Sequence, residues 1–75
     1  MTASHRFFVS PRHAPGHGHA IDAASFEEAA AAFVERWSPP VDDDGDVALI
    51  VYDQANGRQL CLRLDLDRGE VEPCA

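Results

Sequence analysis

Only one stretch of this chain has the periodicity of a helix, and that limits what the rest can become. From Phe26, apolar residues recur at Ala29, Ala30, Phe33, Val34 and Trp37, a spacing that lays a single stripe along an α-helix. Glu27, Glu28, Glu35 and Arg36 take the opposite side, and Ala31 and Ala32 add helix propensity without requiring burial. Ser25 is placed to cap the N-terminus, with Glu28 as its capping-box partner. Ser38-Pro39-Pro40 ends the helix, because proline denies the next turn its backbone donors. One stripe needs one receiving surface, and the remaining segments read as strands.

His5 to Ser10 is β-prone and stops at Pro11. Its inner face is left open between Phe7 with Val9 and Phe8 alone, since adjacent phenylalanines break the alternation. Residues 11–18 form a loop rich in proline and glycine, and His19 to Ala23 reads as a short second strand with Ile21 inward. After the helix, an aspartate-rich link leads to Val47-Ala48-Leu49-Ile50-Val51-Tyr52, the most β-like run and the expected central strand. Asn56-Gly57 then supplies a hairpin turn. The returning strand, Gln59 to Leu66, alternates without a break: Leu60, Leu62, Leu64 and Leu66 on one face, Gln59, Cys61, Arg63 and Asp65 on the other. Asp67 to Glu70 turns again, and residues 71–75 read as a frayed tail or a very short edge strand. The expected fold is α+β: a single domain over residues 1–75, a two-layer sandwich with an antiparallel sheet of three or four strands and one helix across one face.

A chain of 75 residues buries only about 60% of the surface its unfolded form exposes, so a disulfide, a metal or a partner subunit is a natural supplement. The formal net charge of −7 is unevenly spread. Residues 1–20 hold Arg6, Arg12 and all four histidines and no acid, whereas the rest holds thirteen acids against four arginines. An acidic body without lysine repels phosphate backbones, which argues against nucleic acid as a partner. No apolar run has the length of a membrane span and the N-terminus lacks a signal peptide's apolar segment, so a cytoplasmic protein is expected. In that setting Cys61 and Cys74 are expected as free thiols, Cys74 in the fraying tail.

The sharpest candidate for chemistry is His13, His17 and His19, three imidazoles in one loop at spacings that can share a zinc ion, with Cys61 or His5 to complete a tetrahedron. No zinc-knuckle cysteine pair accompanies them, and the plain alternative is a solvated loop. No catalytic residue is assigned: a histidine base acting on Cys61 or a serine needs geometry that spacing does not supply. The sequence carries no glycine-rich phosphate loop, His-Glu-x-x-His helix or Gly-x-Ser-x-Gly elbow. The aspartates at 42–46 and at 65–70 do not match the calcium loop of an EF-hand and read as turns flanking strands.

The central strand carries more information. Val47, Leu49 and Val51 suit the helix side, yet Ala48, Ile50 and Tyr52 are apolar as well, where a wet face should alternate with polar residues. A second apolar face calls for a cover: the proline-rich loop, another protein or a second copy of the chain. The expected function is therefore that of a small non-enzymatic interaction domain that self-associates through Ala48, Ile50 and Tyr52. The alternative is a zinc module using His13, His17 and His19.

Ala14-Pro15-Gly16 followed by Ala23-Ala24-Ser25-Phe26-Glu27-Glu28-Ala29 resembles the small HicB-like antitoxin domains, in which a strand and a Pro-Gly loop precede a helix of this opening. The resemblance covers about fifteen residues, lacks a second DNA-binding segment, and implies a partner-binding α+β module. Taken whole, the chain looks like one of the small, functionally uncharacterised bacterial domains, which implies no activity.

Overall fold

A computed structural model describes residues 4–39, 41, 43 and 45–74. The elements follow in the order β1 (His5–Pro11), a 3-10 turn (Pro15–His17), β2 (His19–Ala23), α1 (Phe26–Trp37), β3 (Asp46–Asp53), β4 (Gln59–Asp65) and β5 (Glu70–Pro73). The strands make one antiparallel sheet in the order β2-β1-β3-β4-β5, with β3 central and α1 laid across one face. The α+β class holds, and the sheet has five strands where three or four were expected. The additional strand is β5, at residues read as a frayed tail or a very short edge strand; the edge strand is what forms.

The helix forms as its caps dictate. Ser25 Oγ accepts the backbone N–H of Glu28 at 3.1 Å, and the Glu28 carboxylate reaches back to the N–H of Ala24 at 3.4 Å. At the other end Ser38 turns into the left-handed region at φ 42°, donating its N–H to the Val34 carbonyl, and Pro39 follows. Pro40, the second proline of the stop signal, lies outside the described residues.

The helix stripe meets the sheet through Ala29, Ala30 and Phe33, with Phe26 and Val34 at its borders. From the sheet come Phe7 and Val9, Ile21 and Ala23, Val47, Leu49 and Val51, and Leu62 and Leu64. Each large side chain fully withdrawn from water here contributes on the order of 1.5–3 kcal/mol. Phe7 packs edge-on against Phe26, ring centroids 5.1 Å apart. The ambiguity of β1 is resolved in favour of Phe7 and Val9 facing the helix. Pro11 closes β1 rather than lying beyond it, and costs no ladder bond. Arg12 N–H donates to the Ala48 carbonyl, so Pro11's nitrogen faces the other way, past the end of β2.

Two turns set the register of the β3-β4-β5 meander. Gly57 (φ 77°) and Gly69 (φ 69°) occupy left-handed positions, each donating its N–H to the carbonyl of the aspartate four residues back, Asp53 and Asp65. Asp65 Oδ1 also accepts the N–H groups of Asp67 and Arg68, which gives the acidic stretch 65–70 a turn-forming role. Of the other acidic stretch, Asp42 and Asp44 lie outside the described residues. Leu66, expected on the inner face of β4, falls beyond the strand and is exposed.

The expectation of two free thiols is overturned: Cys61 and Cys74 form a disulfide with Cα atoms 5.3 Å apart. The physical reason is β5. Pairing of Leu62 with Pro73 and of Leu64 with Val71 carries the chain back along β4, and Cys74 donates its N–H to the Cys61 carbonyl, directly opposite it. The segment through Cys74 is held by a strand ladder and a covalent bond, not frayed; Ala75 lies outside the described residues. Closing a loop of this length stabilises a fold by roughly 3 kcal/mol, against the ~4–11 kcal/mol typical of a domain this small. Among the described residues no helix is long and apolar enough to cross a membrane.

Candidate functional site

Strand alternation that sends Phe7, Val9, Leu49 and Leu62 to the helix sends their neighbours to the opposite face, across which no helix or strand lies among the described residues. Rows of side chains run across it. Phe8 pairs with Ala20 on β2 and with Tyr52 on β3, which continues to Gln59. Ser10, Ile50, Cys61 and Cys74 form the next row, and Ala48, Arg63 and Glu72 the one after. The expected interface residues Ala48, Ile50 and Tyr52 thus stand in line on the central strand. Ala48 and Ile50 are half-buried and Tyr52 is 38% exposed; beside it Phe8 is 37% exposed.

Two contributors join this face: Phe8, which the sequence left open against Phe7, and the disulfide, which it did not give. Phe8 belongs to it by register, and its ring lies over Gly18: a Cβ built at Gly18 would come within 2.5 Å of Phe8 Cε1 and 3.0 Å of Ser10 Cβ. The loop before β2 therefore packs on the β1 side of this face: the backbone of Gly18 supports the Phe8 ring, and Ser10, in the Ile50 row, is buried. The disulfide is the second contributor, its two half-buried cysteines extending the Ile50 row to the sheet edge. A signal for it was present: Cys61 and Cys74 are equally far from the centre of the Asp67-Arg68 turn, so any tight hairpin there brings them opposite each other. Charge is kept to the ends of the patch. Arg6 Nε binds Asp22 at 3.2 Å at one end, and Arg63 binds Asp46 at 2.9 Å at the other.

The loop histidines are dispersed. His13 sits in the turn after β1, beside Arg12 and Val41 in a shallow hollow. His17 ends the 3-10 turn, and His19 starts β2, where its ring stacks on Trp37 with centroids 4.0 Å apart and planes 4° from parallel. His17 and His19 border a cleft of about 340 Å³ under the C-terminal end of the helix, closed by Pro11, Phe33, Trp37 and Pro39. Among the described residues no three histidines, cysteines or acids are grouped to hold a metal ion. His5, the other ligand considered, points to the helix side of β1, with Nδ1 3.7 Å from the buried Asp53 carboxylate. Cys61, considered both as a ligand and as a nucleophile, has its sulfur bonded to Cys74.

The chain belongs to the family of unknown function DUF5961, whose model matches residues 5–75 and so takes in every strand and the helix. That agrees with its likeness to small uncharacterised domains, while the HicB-like stretch stays confined to residues 14–16 and 23–29 and no comparison extends it. No curated protein and no solved structure shows significant similarity to it.

Proposed function

We propose that this member of DUF5961 is a non-enzymatic association domain whose partner is a second copy of itself, docked through the open face of the sheet. The observation that carries the reading is the row Phe8–Tyr52: two large aromatic side chains in register on adjacent strands, each more than a third exposed, next to Ile50 and Ala48. A monomeric sheet with a wet face should place polar residues there. Two antiparallel sheets packed face to face, with strands roughly aligned, would bury this patch and give an α/β/β/α sandwich. Association of like copies has to overcome a net charge of −7 on each. On the open face Asp22 and Asp46 each carry an arginine partner, and the Phe8–Tyr52 and Ser10–Ile50 rows hold no acid.

Ile50→Asp tests it. A carboxylate at the centre of the patch leaves the helix side of β3 untouched, so the variant is expected to keep wild-type helix content by circular dichroism. Its mass by light scattering should fall from dimer to monomer. A variant that runs at the same mass as wild type sinks the reading.

A further inference from the structure

The Cys61–Cys74 disulfide lies on the proposed association face but outside the core. Helix α1 packs on β1, β2, β3 and β4, and of β5 only Val71 is packed against the core. Glu70, Glu72 and Pro73 are exposed. β5 is thus a four-residue edge strand held by its ladder to β4, one apolar side chain and a covalent bond at its end. That bond joins two half-buried cysteines in the row of Ile50, where an outside reductant has an approach from the open side.

Resting on the self-association reading above, we propose that this disulfide is a redox-operated latch: closed, it holds β5 in place and completes the association face; opened, it frees β5 and dissolves the dimer. The opening reagent is a dithiol. One of its thiolates attacks a sulfur of the pair, the Cys61–Cys74 bond breaks and a mixed disulfide forms. The second thiol then displaces the cysteine, leaving two protein thiols and the reductant as its own disulfide, two electrons and two protons having moved to the protein. Released, β5 withdraws Cys74 from the Ile50 row and leaves β4 as an unpaired edge beside the patch. The core keeps the helix and four strands and does not unfold.

The experiment is light scattering across a dilution series, on the oxidised chain, on the chain after dithiothreitol, and on a Cys61→Ser/Cys74→Ser variant in both buffers. Amide exchange and circular dichroism are followed in parallel. The expected result is an oxidised dimer whose dissociation constant rises at least about tenfold on reduction. The serine variant should be equally weak in both buffers, helix signal should be retained, and the gain in exchange should be confined to β5 and the β4 amides that face it. An oxidised dimer unchanged by reduction overturns the latch and leaves the association reading standing. An oxidised monomer overturns the association reading, and the latch with it. Loss of the whole fold on reduction also overturns the latch, since the bond would then be a staple for the core.

Discussion

Phe7 and Phe8 are neighbours in the chain and lie on opposite faces of one sheet. Phe7 is 1% exposed, packed edge-on against Phe26 beneath the helix. Phe8 leans on the backbone of Gly18 and meets water with more than a third of its surface. The contrast continues on the central strand. On the covered face, Val9, Leu49, Val51 and Phe33 interdigitate at full burial; on the open face, Ile50 and Tyr52 are similar in chemistry and have no second layer. The same backbone presents both sets, so the difference comes from the one helix available to cover them. A single twelve-residue helix closes one face of a five-stranded sheet, and the aromatic residues Phe8 and Tyr52 on the other stay partly exposed.

The largest effect that can test this contrast comes from truncating the two phenylalanines in turn. Phe7→Ala removes a fully buried ring from the core and is expected to cost about 3–5 kcal/mol, enough to leave a domain of this size barely folded. Phe8→Ala removes a ring that is partly exposed and should cost about 1–2 kcal/mol in monomer stability, while weakening association. Urea denaturation at concentrations where wild type is monomeric gives both numbers. Equal losses at the two positions would show that the open face is covered within the chain and would end the distinction.

The asymmetry was partly legible in the sequence. The stripe from Phe26 to Trp37 with its serine cap, and the alternation from Gln59 to Asp65, are local patterns with one physical reading each, and the helix and β4 follow them. The double apolarity of Val47 to Tyr52 likewise pointed to a second face in need of a cover. Phe7-Phe8 defeated the reading because alternation cannot orient two adjacent aromatics; only the pairing of β1 with β3 does. The disulfide was missed for a different reason. Free thiols are the default for two cysteines in a reducing setting, and Cys74, next to the last residue, reads as part of a fraying tail. The chain's own turn at Asp67-Arg68, which places the cysteines opposite each other, was the stronger constraint. The His13, His17 and His19 spacing illustrates the converse. Spacing alone does not orient the rings: His17 and His19 border one cleft while His13 lines another hollow, and the His19 ring is stacked on Trp37 at the start of β2.

A smaller effect is expected at the start of the helix that makes one face the covered one. Ser25→Ala removes the acceptor of the Glu28 N–H and is expected to cost about 1 kcal/mol, read as a fall of roughly 4–8 °C in melting temperature. The association constant of the folded protein should not change, because the capped end lies on the helix side. A parallel loss of association would mean that the two faces are coupled through the sheet.

The smallest effect sharpens the contrast from the opposite end of the helix, in the stabilising direction. Ser38 holds the left-handed conformation at φ 42°, where a Cβ costs roughly 1–2 kcal/mol. Its backbone N–H already serves the Val34 carbonyl, a bond glycine would keep. Glycine removes the steric cost but adds about 0.5–1 kcal/mol of backbone freedom to lose on folding. The net expectation for Ser38→Gly is a gain of about 0.5–1 kcal/mol, with melting temperature up by a few degrees. Because Ser38 is exposed and lies beyond the helix end, the variant should tighten the covered face and leave the dissociation constant of the dimer where it was. A fall in stability would show that the Ser38 hydroxyl holds the helix end more firmly than its backbone bond does, making this turn a second side-chain cap on the covering helix.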